Sequence, residues 1–186
     1  MSLFSNKIKV TDFQLSEVIP VYSNSSWTGS VESRLLNIQY YTIQFTLNFN
    51  QKDAGEYKAF QAQYSTGAPF PMTLGFYSNY YGAETNAINA EVGASIGTYQ
   101  IQCHTKLEVG SLIQFQNHSK VYKLMVNDQD NGILSIYPLL RADVQVGETI
   151  KYSNIEGQFI LDNSNDYALS VANQMSVQLT ATEYLP

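Results

Sequence analysis

The sequence is short of nearly every residue type on which catalysis, metal binding or nucleic-acid binding depends. Its 186 residues include one cysteine, two histidines and ten lysines and arginines together. With Cys103 alone, no disulfide can form within these residues, which fits folding in a reducing cytoplasm. A zinc site needs three or four ligands, and Cys103, His104 and His118 would have to recruit carboxylates at no recognisable spacing. No metal site is expected. The basic residues are outnumbered by 16 acidic ones, for a net charge of -6, and they cluster nowhere. A protein that neutralises phosphates needs a basic face, so nucleic-acid binding is not expected. Long apolar runs are also missing: no stretch approaches the roughly 20 residues of a membrane span. The N-terminal "MSLFSNKIKVTDF" has no basic segment leading into an apolar run, so no signal peptide is expected either.

Catalytic signatures are absent in the same way. There is no G-x-S-x-G elbow and no glycine loop that would cradle a phosphate. "NDQDNG", residues 127–132, starts like a calcium loop, but counting from Asn127 puts Pro138 where the twelfth-position carboxylate belongs. Asn-Gly between two apolar runs is instead a hairpin signal. The acidic residues do not single out a pair for acid/base work. The expectation is a non-enzyme without cofactors.

Aromatic residues are what the chain has in excess. They make up 13% of it, with 14 tyrosines, against 14% charged residues. The polar surface must then be built from Asn, Gln, Ser and Thr. Such a surface suits close packing against other protein, where Tyr contributes contact area and a hydroxyl. It equally suits a β-rich domain, which uses Tyr freely in strands.

Most segments have the period of strands. In "NIQYYTIQFTLNF", Tyr41, Ile43, Phe45, Leu47 and Phe49 fall on one face, and Gln44, Thr46 and Asn48 on the other. One helix is expected over 51–65, with Asn50 as N-cap, an apolar stripe of Ala54, Tyr57, Phe60 and Tyr64, and Gly67 ending it. Met72 to Tyr77 suggests a strand, and residues 78–94 read as a long polar and aromatic loop of the kind that carries function or contacts. From about 95 to 155 the rhythm tightens: "GTYQIQC", "SLIQFQ", "KVYKLMVND", "GILSIYP" and "ETIKY" are separated by turn signals, as in a small antiparallel barrel. Trp27, the single tryptophan, stands in "NSSWTGS"; it suits an anchor for a partner, a platform for a sugar, or a lid on the β core. The fold class is therefore mainly β with one α-helix, a β-sandwich or split-barrel core (residues 1–94 and 156–186) holding an inserted small antiparallel β-barrel (residues 95–155).

Several stretches, in order, resemble the distal tail or tail-hub proteins of tailed bacteriophages: "SWTGSVESR", "YYTIQFTLNF", "KAFQAQYSTG", "PFPMTLG", the barrel segment, and "SVQLTATEYLP". Within the barrel, Gly110, Val121, Tyr122, Gly132, Pro138, Leu140, Arg141 and Gly147 carry the match. The chain departs from that pattern in its long 78–94 loop and in lacking a turn glycine between Gln116 and Lys120. The resemblance implies a virion protein assembled in the host cytoplasm, a homo-oligomeric ring, usually a hexamer, at the end of the tail tube, joined to tube and baseplate or tip proteins. It implies no catalysis, no membrane contact and no sequence-specific nucleic-acid contact. The residues expected at interfaces are Trp27, Arg34, Tyr77, Tyr80, Tyr81 and Arg141, with Arg141 paired to a carboxylate at the barrel rim or on a neighbouring subunit. A second expectation is a carbohydrate-binding β module, as in the receptor-binding part of a tail tip, using Trp27 and the tyrosines.

Overall fold

A computed structural model describes residues 3–35, 38–169 and 172–185 of the protein. It is mainly β, with 43% of residues in strands and a single α-helix. The strands are β1 (Lys9–Val18), β2 (Val21–Ser25), β3 (Val31–Leu35), β4 (Tyr40–Asn50) and then, after helix α1 (Ala54–Tyr64), β5 (Phe70–Thr73). They continue as β6 (Ile88–Asn89), β7 (Gln100–Gln102), β8 (Leu112–Phe115), β9 (Tyr122–Asp128) and β10 (Ile133–Tyr137). β11 (Thr149–Lys151), β12 (Glu156–Leu161) and β13 (Gln174–Glu183) complete the set. The chain divides into two compact units: Met1–Glu17 with Tyr40–Leu74 and Glu156–Pro186, and Val18–Gln39 with Gly75–Ile155.

The first unit is a five-stranded sheet in the order β1-β4-β13-β12-β5. Its centre is the antiparallel pair β4–β13, in register from Gln174 opposite Asn50 to Thr182 opposite Thr42. The alternation in β4 is realised: Tyr41, Ile43, Phe45, Leu47 and Phe49 are buried. Met175, Val177, Leu179 and Ala181 form the matching buried row of β13, and Glu183 continues it. A carboxylate at the end of an apolar row needs a donor, and the Tyr41 backbone N–H donates to Glu183 Oε2 at 3.0 Å. Helix α1 lays Tyr57 and Phe60 onto this core. Tyr57 stacks on Phe49 with ring centroids 5.2 Å apart, and Phe60 meets Phe70 edge-on at 5.4 Å. Ala54 and Tyr64, the outer residues of the stripe, are only half-buried.

The helix begins differently from the expectation. Residues 51–53 form a 3-10 turn, and neither Asn50 nor Asp53 makes a side-chain capping bond. The β4 strand runs on to Asn50, where it still pairs with Gln174, so Asn50 has extended backbone and its side chain does not turn in to cap. Gly67 ends the region as expected, at φ +92, with its N–H donated to the Tyr64 carbonyl at 3.3 Å. The strand expected over Met72 to Tyr77 is shifted: β5 ends at Thr73 and Gly75–Ser78 forms a 3-10 turn.

The second unit carries a six-stranded antiparallel sheet in the order β6-β11-β8-β9-β10-β7. Its end strands approach each other, since the Glu91 N–H, just past β6, donates to the Gln102 carbonyl of β7 at 2.8 Å. A sheet that curls back on itself in this way leaves little open edge. One cluster fills its interior, including Ile101, Ile113, Phe115, Tyr122, Leu124, Leu134, Ile136, Leu140 and Ile150. "DQDNG" forms the expected hairpin between β9 and β10, with Asn131 donating through its backbone N–H and Nδ2 to the Asp128 carboxylate at 3.2 and 2.8 Å.

This unit takes in Val18–Gln39 together with Gly75–Ile155, and its second stretch begins ahead of residue 95 because the 78–94 segment is not a free loop. Ile88 and Asn89 pair with Ile150 and Thr149, Ile88 and Ala90 are buried, and Ala94 bridges to Val144. Glu84, also buried, fastens its middle. The carboxylate accepts the Lys106 N–H at 2.8 Å, the Thr105 hydroxyl at 2.6 Å, and the Thr85 and Asn86 N–H groups at 3.0 Å each. These donors, the Lys106 N–H foremost, hold its pKa down at about 2.

Candidate functional site

Of the residues expected at interfaces, the structure brings Tyr77, Tyr80 and Tyr81 together and adds Phe76 to them. Phe76 and Tyr81 are 73% and 75% exposed, and their rings lie nearly parallel, 23° apart in plane and 5.8 Å between centroids. Tyr77 meets Phe76 edge-on at 5.9 Å and is half exposed. Single exposed aromatics are ordinary, but a contiguous set of three is characteristic of a contact surface. These rings border a cleft of about 270 Å³, completed by Asn79, Tyr80, Glu108, Leu112 and Tyr152 among others.

The floor of this cleft is fixed by polar contacts. The Tyr80 hydroxyl donates to Glu108 Oε2, and the Ala83 N–H donates to Glu108 Oε1 at 3.0 Å. Both bonds favour the ionised carboxylate, and together, Tyr80 first, they hold its pKa below the usual range. Partial burial, and then the bond to Glu108, raise the Tyr80 phenol pKa. Tyr152 packs edge-on against Tyr80 at 5.1 Å and donates its own hydroxyl to the Asn86 carbonyl at 2.8 Å. Gly82 leaves room for the Tyr80–Glu108 contact: a Cβ at this position would meet the Tyr80 hydroxyl end and Glu108 Oε2, one of which would have to shift. The aromatic run "GFYSNYYG" shows in the sequence that Phe76 belongs with the tyrosines. Glu108 and Tyr152 are brought in by the barrel from far along the chain, and nothing local marks them.

Trp27 and Arg34 lie on a different element. Among the described residues β2 and β3 pair only with each other, from Val21 opposite Leu35 to Ser25 opposite Val31, and form a separate two-stranded sheet. Trp27 sits in the connecting turn, closed by Ser26 N–H to the Ser30 carbonyl at 2.8 Å and Gly29 N–H to the Ser26 carbonyl at 2.9 Å. The indole is 102% exposed, so Trp27 does not cover the end of a β core. Val21, Tyr22 and Val31 are exposed as well. Arg34 stands opposite Tyr22 in the ladder.

Arg141 is exposed, and no carboxylate pairs with its guanidinium among the described residues. Among the described residues the expected rim salt bridge is therefore not formed. What holds the corner is its backbone: the Arg141 N–H donates to the hydroxyl of buried Tyr122 at 3.1 Å. Leu140 enters the barrel core, Leu139 stays half-buried, and the Leu140 N–H donates to the Thr98 carbonyl at 2.8 Å. Among the described residues, no group of three or more His, Cys, Asp or Glu side chains is placed to hold a metal ion. Cys103 is buried, and that burial pushes its thiol pKa up to about 11, away from the reactive thiolate. No helix among the described residues is long and apolar enough to cross a membrane. Neither protein-family models nor curated proteins give a match to this chain.

Proposed function

We propose that this protein is a structural component of a bacteriophage tail: a homo-oligomeric, sixfold ring at the distal end of the tail tube that connects the tube to baseplate or tip proteins. The observation that carries the reading, beside the sequence resemblance, is the β2–β3 hairpin. An isolated two-stranded hairpin is marginal in water, and this one exposes Val21, Tyr22, Trp27 and Val31 and pairs, among the described residues, with no third strand. A neighbouring subunit that covers it supplies the missing packing and edge pairing. A ring of heterologous contacts gives each copy such a neighbour without leaving an end. The low charge and high Tyr content support the same role, because few charges would be buried unpaired at the joints. In this role the chain has no catalytic step and no cofactor, and it acts in the virion after assembly in the host cytoplasm. Its partners are other copies of itself and tail proteins, with no membrane contact and no sequence-specific contact to nucleic acid.

Native mass spectrometry of the purified protein and of tail particles tests this. A ring in either preparation that dissociates when residues 22–34 are replaced by a short turn supports it. A protein that stays monomeric in solution and is missing from particles overturns it.

A further inference from the structure

We infer that the cleft beside Phe76 and Tyr81 binds a neutral saccharide, one or two sugar rings at a time. The arrangement is a platform with a polar wall. With centroids 5.8 Å apart and planes 23° from parallel, Phe76 and Tyr81 leave no gap to sandwich a guest. They do not form a cage of the kind that encloses a cation, which places ring faces around a central point. Stacked on each other, they leave the outward ring faces to solvent, with Tyr81 75% exposed, and the C–H face of a hexose has the shape to lie on such a face. Beside them stands the Glu108 carboxylate, already oriented by Tyr80 and the Ala83 N–H. An ionised carboxylate has about four acceptor positions. Tyr80, the Ala83 N–H and the Glu108 N–H itself take three, which leaves one for a sugar hydroxyl. Asn79 on the rim supplies an amide that both donates and accepts.

Size and charge narrow the occupant further. A cleft of about 270 Å³ lies just below the range of drug-sized sites, enough for a short sugar unit and small for a protein segment. The carboxylate and the net charge of -6 oppose phosphates and other anions. The polar wall is held by several contacts: Gly82 leaves room beside the Tyr80 hydroxyl and Glu108 Oε2, and Tyr152 packs edge-on against Tyr80. This inference stands apart from the ring reading, since neither the hairpin nor assembly enters it.

The test is saturation-transfer NMR and calorimetry on the full chain with methyl glycosides of glucose, galactose and N-acetylglucosamine and their short oligomers, with choline as a cationic control. At least one sugar should bind with a Kd in the roughly millimolar range or tighter. Tyr81→Ala and Phe76→Ala should each weaken that binding about tenfold or more, and Trp27→Ala should leave it unchanged. Both aromatic positions are exposed, so these variants keep the fold, which circular dichroism verifies. No sugar binding, binding that ignores Tyr81→Ala and Phe76→Ala, or choline binding in place of sugar would each overturn the inference. The oligomeric mass of the same variants reports separately on the ring.

Discussion

The hydroxyl of Tyr122, inside the barrel, accepts the backbone N–H of Arg141 at 3.1 Å and lies 3.2 Å from His118 Nδ1. One core side chain thereby fixes the corner that follows Pro138. Tyr122→Phe keeps the ring packing against Phe115 and leaves the Arg141 N–H without its acceptor. It should destabilise the protein by about 1–2 kcal/mol, read by urea unfolding. Arg141→Ala keeps the backbone bond and should change stability by less than about 0.5 kcal/mol. A larger loss for Arg141→Ala than for Tyr122→Phe would contradict this assignment.

Glu84 makes the attachment of the 78–94 segment depend on pH. Its folded pKa, about 2, lies below the ordinary value of 4.5. Its contribution is therefore fully present above the ordinary value and is lost as pH falls through the folded one. Glu84→Gln should lower stability near neutral pH, and the gap to the unsubstituted protein should close between about pH 5 and pH 2. Protection factors of the Lys106, Thr85 and Asn86 amides, taken against the intrinsic exchange rate at each pH, should fall over the same interval. Protection that does not change would show that other contacts hold the segment.

Gly82→Ala adds one methyl group where Tyr80 and Glu108 approach the backbone. The added Cβ forces one of them away and breaks their hydrogen bond, at a cost of about 1 kcal/mol. The same variant should lose saccharide binding without touching the exposed rings. Thermal unfolding and calorimetry read the two effects separately, and unchanged values in both would show that the floor is more yielding than its geometry indicates.

Trp27→Ser removes the most exposed aromatic in the chain, from a turn that its neighbours hold closed without it. Monomer stability should stay within about 0.5 kcal/mol, while the proposed ring should weaken or fail to form. A loss of fold stability would place the indole in a structural role instead.

What was legible in the sequence was whatever repeats over short distances. The one-sided burial of β4, the Tyr57–Phe60 face of the helix and the five strands after residue 95 each follow a local period, and the structure keeps all of them. Position 88–89 was not legible, because a two-residue strand has no period and pairs with residues some sixty positions on. The helix start was misjudged because pairing of Asn50 with Gln174, a long-range constraint, overrode a local capping preference. The cleft was half legible. Its rings are sequence neighbours, whereas Glu108 and Tyr152 arrive only through the barrel. Trp27 shows the opposite limit, since a lone indole among serines looks the same in sequence whether it caps a core or faces solvent.

β5 and β12 are hydrogen-bonded neighbours, with Thr73 opposite Glu156, yet 82 residues separate them in the chain. The antiparallel ladder sets the spacing of these two ends at about 5 Å, whatever lies between them. The barrel is thus strung across what is geometrically an ordinary hairpin mouth. Closing that mouth costs only slowly more as the connection lengthens. The 75–155 stretch enters and leaves through that one mouth, so its cleft and surface are open to exchange or elaboration while the β5–β12 register stays as it is.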